Sequence, residues 1–164
     1  MSTRGALLEA AERLFYDHGI AATGVDAVVR ASGVTKPTLY AHFGSKAGLV
    51  AAVLEARHAR RRAELEARLA QAGDPACALF DWLEGYYASE GARGCAFLNA
   101  AAEGEGMDAV RAEKHWLRDL LAERTGDPRR ASQLALLVDG ISGRVVVDGP
   151  DAAPAAIADA RALV

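Results

Sequence analysis

Four side chains that donate hydrogen bonds lie close together in one short segment: Lys36, Thr38, Tyr40 and His42. Leu39 and Phe43 lie four residues apart in the same segment and would share the buried side of a helix. Such a helix would present its donors outward. Donors of this kind suit the base edges and phosphates of a nucleic acid. The segment is therefore a candidate nucleic-acid contact.

A second short helix is predicted directly before this one, over residues 25–32. Gly33 follows it, and a glycine readily takes the left-handed conformation that often ends a helix. Thr35 is then expected at the N-cap of the donor-bearing helix, with Pro37 in its opening turn. Two helices joined by a short turn that contains glycine are typical of a helix-turn-helix motif.

Residues 7–49 resemble the TetR family of transcriptional regulators. The matching residues are Leu14-Phe15, His18-Gly19, Thr23-Gly24-Val25-Asp26, Ala31-Ser32-Gly33-Val34, Thr35-Lys36-Pro37-Thr38-Leu39-Tyr40, His42-Phe43, Lys46 and Leu49. Residues 93–103 also resemble a segment found in one subgroup of that family, although less specifically. The resemblance implies an all-α fold, with a three-helix helix-turn-helix DNA-binding domain over residues 1–46. A helical effector-binding and dimerisation domain is expected over residues 47–164.

The resemblance places the second helix of the pair in the major groove of double-stranded DNA. The expected DNA-binding residues are Thr23, Gly24, Thr35, Lys36, Pro37, Thr38, Tyr40, His42 and Lys46. Gly24 departs from many relatives, which have Ser or Thr there, so more contact is expected through Thr23 and backbone N–H groups. Two alternatives stay open: Tyr40 packs against the first helix, and His42 is simply a surface residue.

The overall charge of −3 is unevenly distributed. Residues 1–70 carry ten Lys and Arg against seven Asp and Glu, whereas residues 71–164 carry nine against fifteen. This split predicts that the positive charge accompanies the DNA-binding region and that the acidic remainder is repelled by phosphate. No apolar run approaches the length of a membrane span, and the N-terminus lacks the pattern of a signal peptide, so a cytoplasmic location is expected.

The two cysteines give little sign of catalysis or metal binding. Cys77 and Cys95 form no CxxC pair and have no His at a zinc-ligand spacing, so free thiols are expected, with no metal and no cofactor. A nucleophilic Cys95 with His115 as base would lack a third orienting group, and an enzyme is not expected. Arg93 and a helix start beside Cys95 leave a redox sensor open, with a buried, inert thiol as the alternative.

The remaining chain has helical periodicity throughout. One long helix is predicted from Lys46 to about Ala72, long enough to connect two domains. Its basic middle, residues 57–62, is interpreted as a solvated helix face, with phosphate contact as the less favoured alternative. Residues 144–147 contain three consecutive valines, which a strand would tolerate, but continuation of a helix is favoured.

A homodimer is expected from the resemblance, because the family pairs its last two long helices with those of a second subunit. The interface residues predicted on this basis are Leu134, Val138, Ile141, Val145, Ile157 and Leu163. Gly140 and Gly143 would allow helices to approach closely. The alternative is that these residues close the core of the monomer.

A small-molecule effector of unknown identity is also implied by the resemblance. The candidate ligand-binding residues are Trp82, Tyr86, Cys95, Phe97, Asn99, Met107, Trp116 and Leu120, a mostly apolar set that suits an aromatic or amphipathic ligand. Ordinary core packing is the alternative for each of them.

The expected function is a ligand-released transcriptional repressor that binds a palindromic operator as a dimer. The alternatives are a constitutive architectural DNA-binding protein without an effector, and a redox sensor acting through Cys95.

Overall fold

The computed structural model describes residues 2–164 and consists of α-helices joined by short turns. The helices are α1 (Thr3–His18), α2 (Val25–Ser32), α3 (Lys36–Phe43), α4 (Lys46–Leu69), α5 (Pro75–Ser89), α6 (Ala96–Ala102), α7 (Met107–Thr125), α8 (Pro128–Asp148) and α9 (Ala153–Arg161). A single 3₁₀ turn over Pro150–Ala152 precedes α9. No strand occurs among these residues, so the all-α prediction is confirmed, and residues 144–147 continue α8.

Local sequence signals explain where several helices begin. The side chains of Ser2, Ser45, Asp74 and Asp127 each accept a backbone N–H in the first turn of α1, α4, α5 and α8 respectively. These bonds satisfy N–H groups that have no partner inside the helix. At Asp74 this capping bond measures 2.8 Å from Ala76 N to Asp74 Oδ1.

Two glycines fix the arrangement of α2, α3 and α4. Gly33 ends α2 with φ +67°, a left-handed conformation in which an L side chain would be strained. Gly48 lies in the first turn of α4, where an added Cβ would approach the Phe43 carbonyl oxygen to 2.1 Å. Any side chain at Gly48 would therefore separate the end of α3 from the start of α4.

Two clusters of buried apolar side chains form the interior. The first joins α1–α3 and the N-terminal half of α4 to α6, with Leu7, Phe15, Leu39, Leu49 and Phe97 among its members. The second joins the C-terminal half of α4 to α5, α7, α8 and α9. Both α4 and α7 contribute to the two clusters, α7 through Val110 in the first and Leu117 in the second, so these two helices connect the N-terminal helices to the rest. The division into domains at residue 46 stays a prediction.

No helix within residues 2–164 combines the length and the apolar character that a membrane span requires.

Candidate nucleic-acid interface

The outer side of α3 carries most of the predicted DNA contacts. Lys36, Pro37, Tyr40 and His42 are exposed, whereas Leu39, on the opposite side, is fully buried. Tyr40 keeps 42% of its surface exposed, so its ring does not pack into the core. The helix therefore offers one cation, one phenol and one imidazole to a partner in front of it.

Lys36 forms an ion pair across the helix-turn-helix. Its Nζ lies 2.9 Å from Asp26 Oδ1 of α2, and both side chains are exposed. The hydrogen bond between them raises the pKa of Lys36 and lowers the pKa of Asp26. The ammonium is thus charged and held near the start of α3, but a carboxylate accompanies it.

The start of α3 differs in one detail from the expectation. Thr35 occupies the N-cap, but its hydroxyl makes no capping bond to a backbone N–H in the residues described. Instead, Thr35 Oγ1 lies 2.7 Å from Thr38 Oγ1, and the two hydroxyls share a hydrogen bond. The first-turn N–H groups of α3 consequently stay available to an acceptor such as a phosphate oxygen.

The prediction for Thr23 needs a correction. Its side chain is 3% exposed, and its hydroxyl donates to the carbonyl oxygens of Gly19 at 2.7 Å and Leu14 at 3.2 Å. That hydroxyl holds the loop after α1 and does not face a partner. Gly24 is exposed at the N-cap of α2, and the half-buried Lys46 has its Nζ 3.5 Å from the Ala21 carbonyl oxygen.

Hydrogen bonds that were not predicted connect this region to α6 and to the loop before it. The Glu103 carboxylate accepts the N–H groups of Ile20 at 3.1 Å and Ala21 at 2.6 Å. On the same side, the Arg93 guanidinium donates to the Tyr16 carbonyl oxygen at 2.8 Å. The partners lie 77 to 83 residues apart in sequence, so no local sequence pattern predicts these hydrogen bonds.

A second unpredicted connection runs from α1 to α4. Glu12 Oε1 lies 2.7 Å from Arg57 Nη1 and 2.5 Å from Arg60 Nη2. Arg57 is 6% exposed, and its other terminal nitrogen donates to the Tyr86 hydroxyl at 3.0 Å. The interpretation of residues 57–62 as a solvated face is therefore wrong for Arg57, and equally for Arg61, which is 8% exposed.

The predicted effector-binding residues do not line one cavity. Trp82 and Tyr86 come together with stacked rings, 6.2 Å between centroids, beside a cavity of about 220 Å³ between α4 and α5. Asn99 borders a separate cavity of only about 20 Å³ between α1, α4 and α6. The others lie in the packed interior or at its edge, where ordinary packing accounts for them: Cys95, Phe97, Met107, Trp116 and Leu120.

The predicted dimer-interface residues also need a correction. Five of the six have at most 3% of their surface exposed and close the core of the monomer: Leu134, Val138, Ile141, Val145 and Ile157. Only Leu163 is exposed. The periodicity of α8 identified its buried side correctly, but that side faces α7 and α9 of the same chain.

The cysteines are unpaired, with Cys77 exposed and Cys95 buried. Lys114 Nζ lies 3.8 Å from Cys95 Sγ and 2.5 Å from Asp139 Oδ1, so a cation borders the thiol. His115, the other partner considered for Cys95, is exposed. Within residues 2–164 no three His, Cys, Asp or Glu side chains are grouped as metal ligands.

Two short helices joined by a turn that contains Gly33, with hydrogen-bond donors on the outer side of the second helix, form a helix-turn-helix of the DNA-binding class. A family model described as bacterial regulatory proteins, tetR family, matches residues 7–53. The HTH-type transcriptional regulator TtgR of Pseudomonas putida is 45% identical over 56 residues, which is 34% of this chain and 27% of TtgR. This chain therefore spans about a quarter of the length of that curated relative.

Solved structures extend the similarity over the whole chain. A TetR-family transcriptional regulator from Streptomyces coelicolor has a TM-score of 0.87 at 27% identity, covering 98% of this chain and 93% of that one. A TetR transcriptional regulator from Streptomyces avermitilis is 32% identical with a TM-score of 0.77, covering 90% of this chain and 88% of that one. The chain belongs to the TetR family of transcriptional regulators.

Proposed function

We propose that the protein is a ligand-released transcriptional repressor that binds a palindromic DNA operator as a homodimer. The observation that carries the proposal is the outward side of α3, which does not pack against the rest of the described chain. Its exposed residues are Lys36, Pro37, Tyr40 and His42, and the buried Leu39 on the opposite side holds the helix in place. A helix of this size fits the major groove, in which each base pair presents its own pattern of donors and acceptors.

A homodimer through α8 and α9 is favoured by the side of α8 that faces away from the core. Leu136, Gly140, Gly143 and Val147 recur at helical spacing on that side, and Leu136 and Val147 are 69% and 77% exposed. Large exposed apolar side chains arranged in this way are typical of an interface. A second copy of the chain is the proposed occupant, because two-fold pairing covers the same patch on both copies.

The dimer determines the form of the operator. We call the N-terminal helix-turn-helix region, residues 1–46, the DNA-binding head. Each head offers few contacts, so affinity has to come from two heads that bind two half-sites together. Two-fold symmetry then requires a palindrome whose half-sites lie about one DNA turn apart. An effector would act by favouring a form in which the two heads no longer match that spacing.

An unbiased selection from a random duplex pool tests the proposal. The expected result is an enriched palindrome, bound by two copies of the chain and released in the presence of an effector. Enrichment of no sequence, with weak binding to every duplex, would instead favour the constitutive architectural protein. Sedimentation of the free protein as a monomer at micromolar concentration would contradict the proposed homodimer.

Lys46→Ala separates phosphate contact from base contact. The half-buried ammonium at the start of α4 lies beside the loop after α1, and we propose that it contacts a phosphate. Removing it should weaken binding to all sequences alike and lower the slope of log affinity against log salt by about one. Unchanged affinity at several salt concentrations would remove Lys46 from the interface.

Redox control through Cys95 is a second candidate function, favoured by the Lys114 ammonium 3.8 Å from the thiol. Peroxide oxidises a cysteine to a sulfenic acid, which would place a polar group in the buried site of Cys95. Mild hydrogen peroxide should then lower operator affinity in the wild type and leave the Cys95→Ser variant unchanged. Equal responses of the two proteins would discard this function.

A further inference from the structure

Arginines line one side of the cavity between α4 and α5. The cavity has a volume of about 220 Å³, and Arg57, Arg60, Arg61 and Arg68 border it from α4. We call it the arginine groove. Two carboxylates, Glu64 and Glu90, also border it, and Glu12 and Glu113 behind it pair with three of the four arginines. An acceptor ligand would therefore depend on the guanidinium donors that these carboxylates leave free.

Arg61 is held in place with part of its donor capacity unused. Its Nε donates to Glu113 Oε1 at 3.1 Å, and Glu113 is 1% exposed. The guanidinium lies over the rings of Trp82 and Tyr86, 4.5 and 4.9 Å from their centroids. Its terminal nitrogens have no hydrogen-bond partner in the described part of the chain. A planar, fixed guanidinium with free terminal donors is well suited to a carboxylate.

Two further arginines border the same groove. Arg57 is 94% buried, its terminal nitrogens are bonded to Glu12 and Tyr86, and its Nε has no hydrogen-bond partner among residues 2–164 but is also closed to a ligand. Arg68 is exposed and takes part in none of the ion pairs among the described residues. Arg68 therefore adds free donors beside those of Arg61, whereas Arg57 supports the wall of the groove.

Gly85 keeps the opposite side of the groove open. It lies inside α5, its φ is not positive, and a Cβ added to it would meet nothing within 4 Å among the described residues. Neither backbone conformation nor packing therefore requires glycine here, although glycine weakens a helix interior. Space for a bound molecule is a physical reason for its presence.

We propose that the arginine groove binds a small organic carboxylate with an apolar body, and that this carboxylate is the effector of the regulator. The carboxylate accepts hydrogen bonds from Arg61 and Arg68. The apolar body lies over Gly85, bordered by Trp82 and Tyr86. The role of the carboxylate as effector rests on the proposed function, whereas its binding to the arginine groove does not.

The same arginines connect the groove to the DNA-binding head. Arg57 and Arg60 hold Glu12 of α1 and also border the groove, so an anion bound to Arg61 and Arg68 would attract the same two guanidinium groups that attach α1. A bound anion would weaken the attachment of α1 to α4 and change the position that the head favours. An effector shifts an equilibrium only through such differential contacts.

The test compares 2-naphthoate with its neutral analogue 2-naphthamide, which has a similar shape and no charge. Titration calorimetry on the full chain should show 2-naphthoate binding at least about tenfold more tightly, because hydrogen bonds to a charged group contribute more than neutral ones. Gly85→Leu fills the groove and should weaken binding by at least about tenfold. Arg68→Gln, at an exposed position, should weaken it by about the same factor, whereas Arg129→Gln on α8 should not.

Three results would overturn the inference: no binding of 2-naphthoate, equal binding of both probes, or unchanged binding in Gly85→Leu and Arg68→Gln. If Gly85→Leu does not fold, as judged by circular dichroism, Arg68→Gln alone decides the site. In the wild type, saturating 2-naphthoate should lower operator affinity by about fivefold or more, and Gly85→Leu should not respond. Operator binding without any response to 2-naphthoate contradicts this inference only, whereas groove binding without operator binding contradicts the proposed function.

Discussion

The DNA-binding head and the arginine groove are built in opposite ways. The head is a continuous segment whose helices begin and end at residues with clear local roles, such as Gly33 and Ser45. The groove combines arginines from α4 with Trp82, Gly85 and Tyr86 of α5, and its buried arginines pair with carboxylates on α1 and α7. The first is therefore evident from a short sequence, and the second exists only after the chain has folded.

The DNA-binding head and the arginine groove also differ in charge. Residues 1–46 hold five Lys and Arg against four Asp and Glu, so the head itself is nearly neutral. Most of the positive excess in residues 1–70 comes from five arginines between positions 57 and 68 of α4. Four of them border the arginine groove. The expectation that the positive charge accompanies the head therefore fails for residues 1–46, and most of the excess lies on α4 beside the proposed anion site.

The largest expected effect is a loss of stability when Glu113, which holds Arg61 beside the arginine groove, is removed. Glu113 is buried on α7 and holds both Arg61 Nε and His58 Nδ1. Glu113→Ala leaves a buried guanidinium without its partner and should lower the free energy of unfolding by about 3–5 kcal/mol. Glu64→Ala, at an exposed carboxylate of the same groove, is the control and should change it little. Chemical denaturation measures both, and equal effects would show that Glu113 is no more important than a surface residue.

Leu134 and Leu136 test the assignment of the two sides of α8. Leu134 is fully buried, so Leu134→Ala should cost about 2–5 kcal/mol of stability. Leu136 is 69% exposed, so Leu136→Ala should leave the monomer fold intact and weaken the dimer instead. Thermal unfolding and analytical ultracentrifugation distinguish the two effects. Dimer loss in Leu134→Ala without loss of stability would reverse the assignment.

Sequence predicted the helices well because each boundary depends on neighbouring residues. Asp74 caps α5, Gly33 ends α2, and the three valines after Arg144 continue α8 because no strand partner exists among the described residues. The exposed side of α3 was also predictable, since the spacing of Leu39 and Phe43 determines which side is buried.

The rest depends on contacts between distant residues, which helical periodicity does not specify. Periodicity shows that Leu134 faces a partner but does not show whether that partner is the same chain or another. In the same way, the run at residues 57–62 has the composition of a solvated face, and the bond of Arg57 to Glu12 spans 45 residues. Burial of a charged side chain depends on such distant partners.

Asp26→Asn is expected to have a smaller effect, confined to the head. The change removes the carboxylate that pairs with Lys36 and a negative charge beside the proposed DNA surface. Operator affinity should rise by about threefold, since repulsion from phosphate falls, and the melting temperature should stay the same because exposed ion pairs contribute little. A fall in operator affinity would show that Asp26 positions Lys36 for binding.

Gly24→Ser should have the smallest effect. Gly24 is the N-cap of α2 with φ −78°, and an added Cβ meets nothing within 4 Å in the described chain. Serine should stabilise the protein by a few tenths of a kcal/mol through a capping bond, about the difference between Ser and Gly at an N-cap. Its hydroxyl would also add one phosphate contact. Gly24→Ala is the control, and an equal change in both variants would exclude a role for the hydroxyl.

The central claim is that α3 reads base sequence while residues around it bind phosphate. The most direct measurement is the ratio of affinities for the selected operator and a scrambled duplex, by fluorescence anisotropy, in Tyr40→Ala and Lys46→Ala. We expect Tyr40→Ala to lower the ratio by about tenfold, as for the loss of a base contact, whereas Lys46→Ala should lower both affinities and preserve the ratio. An unchanged ratio in Tyr40→Ala, or a ratio that falls equally in both variants, would contradict the claim.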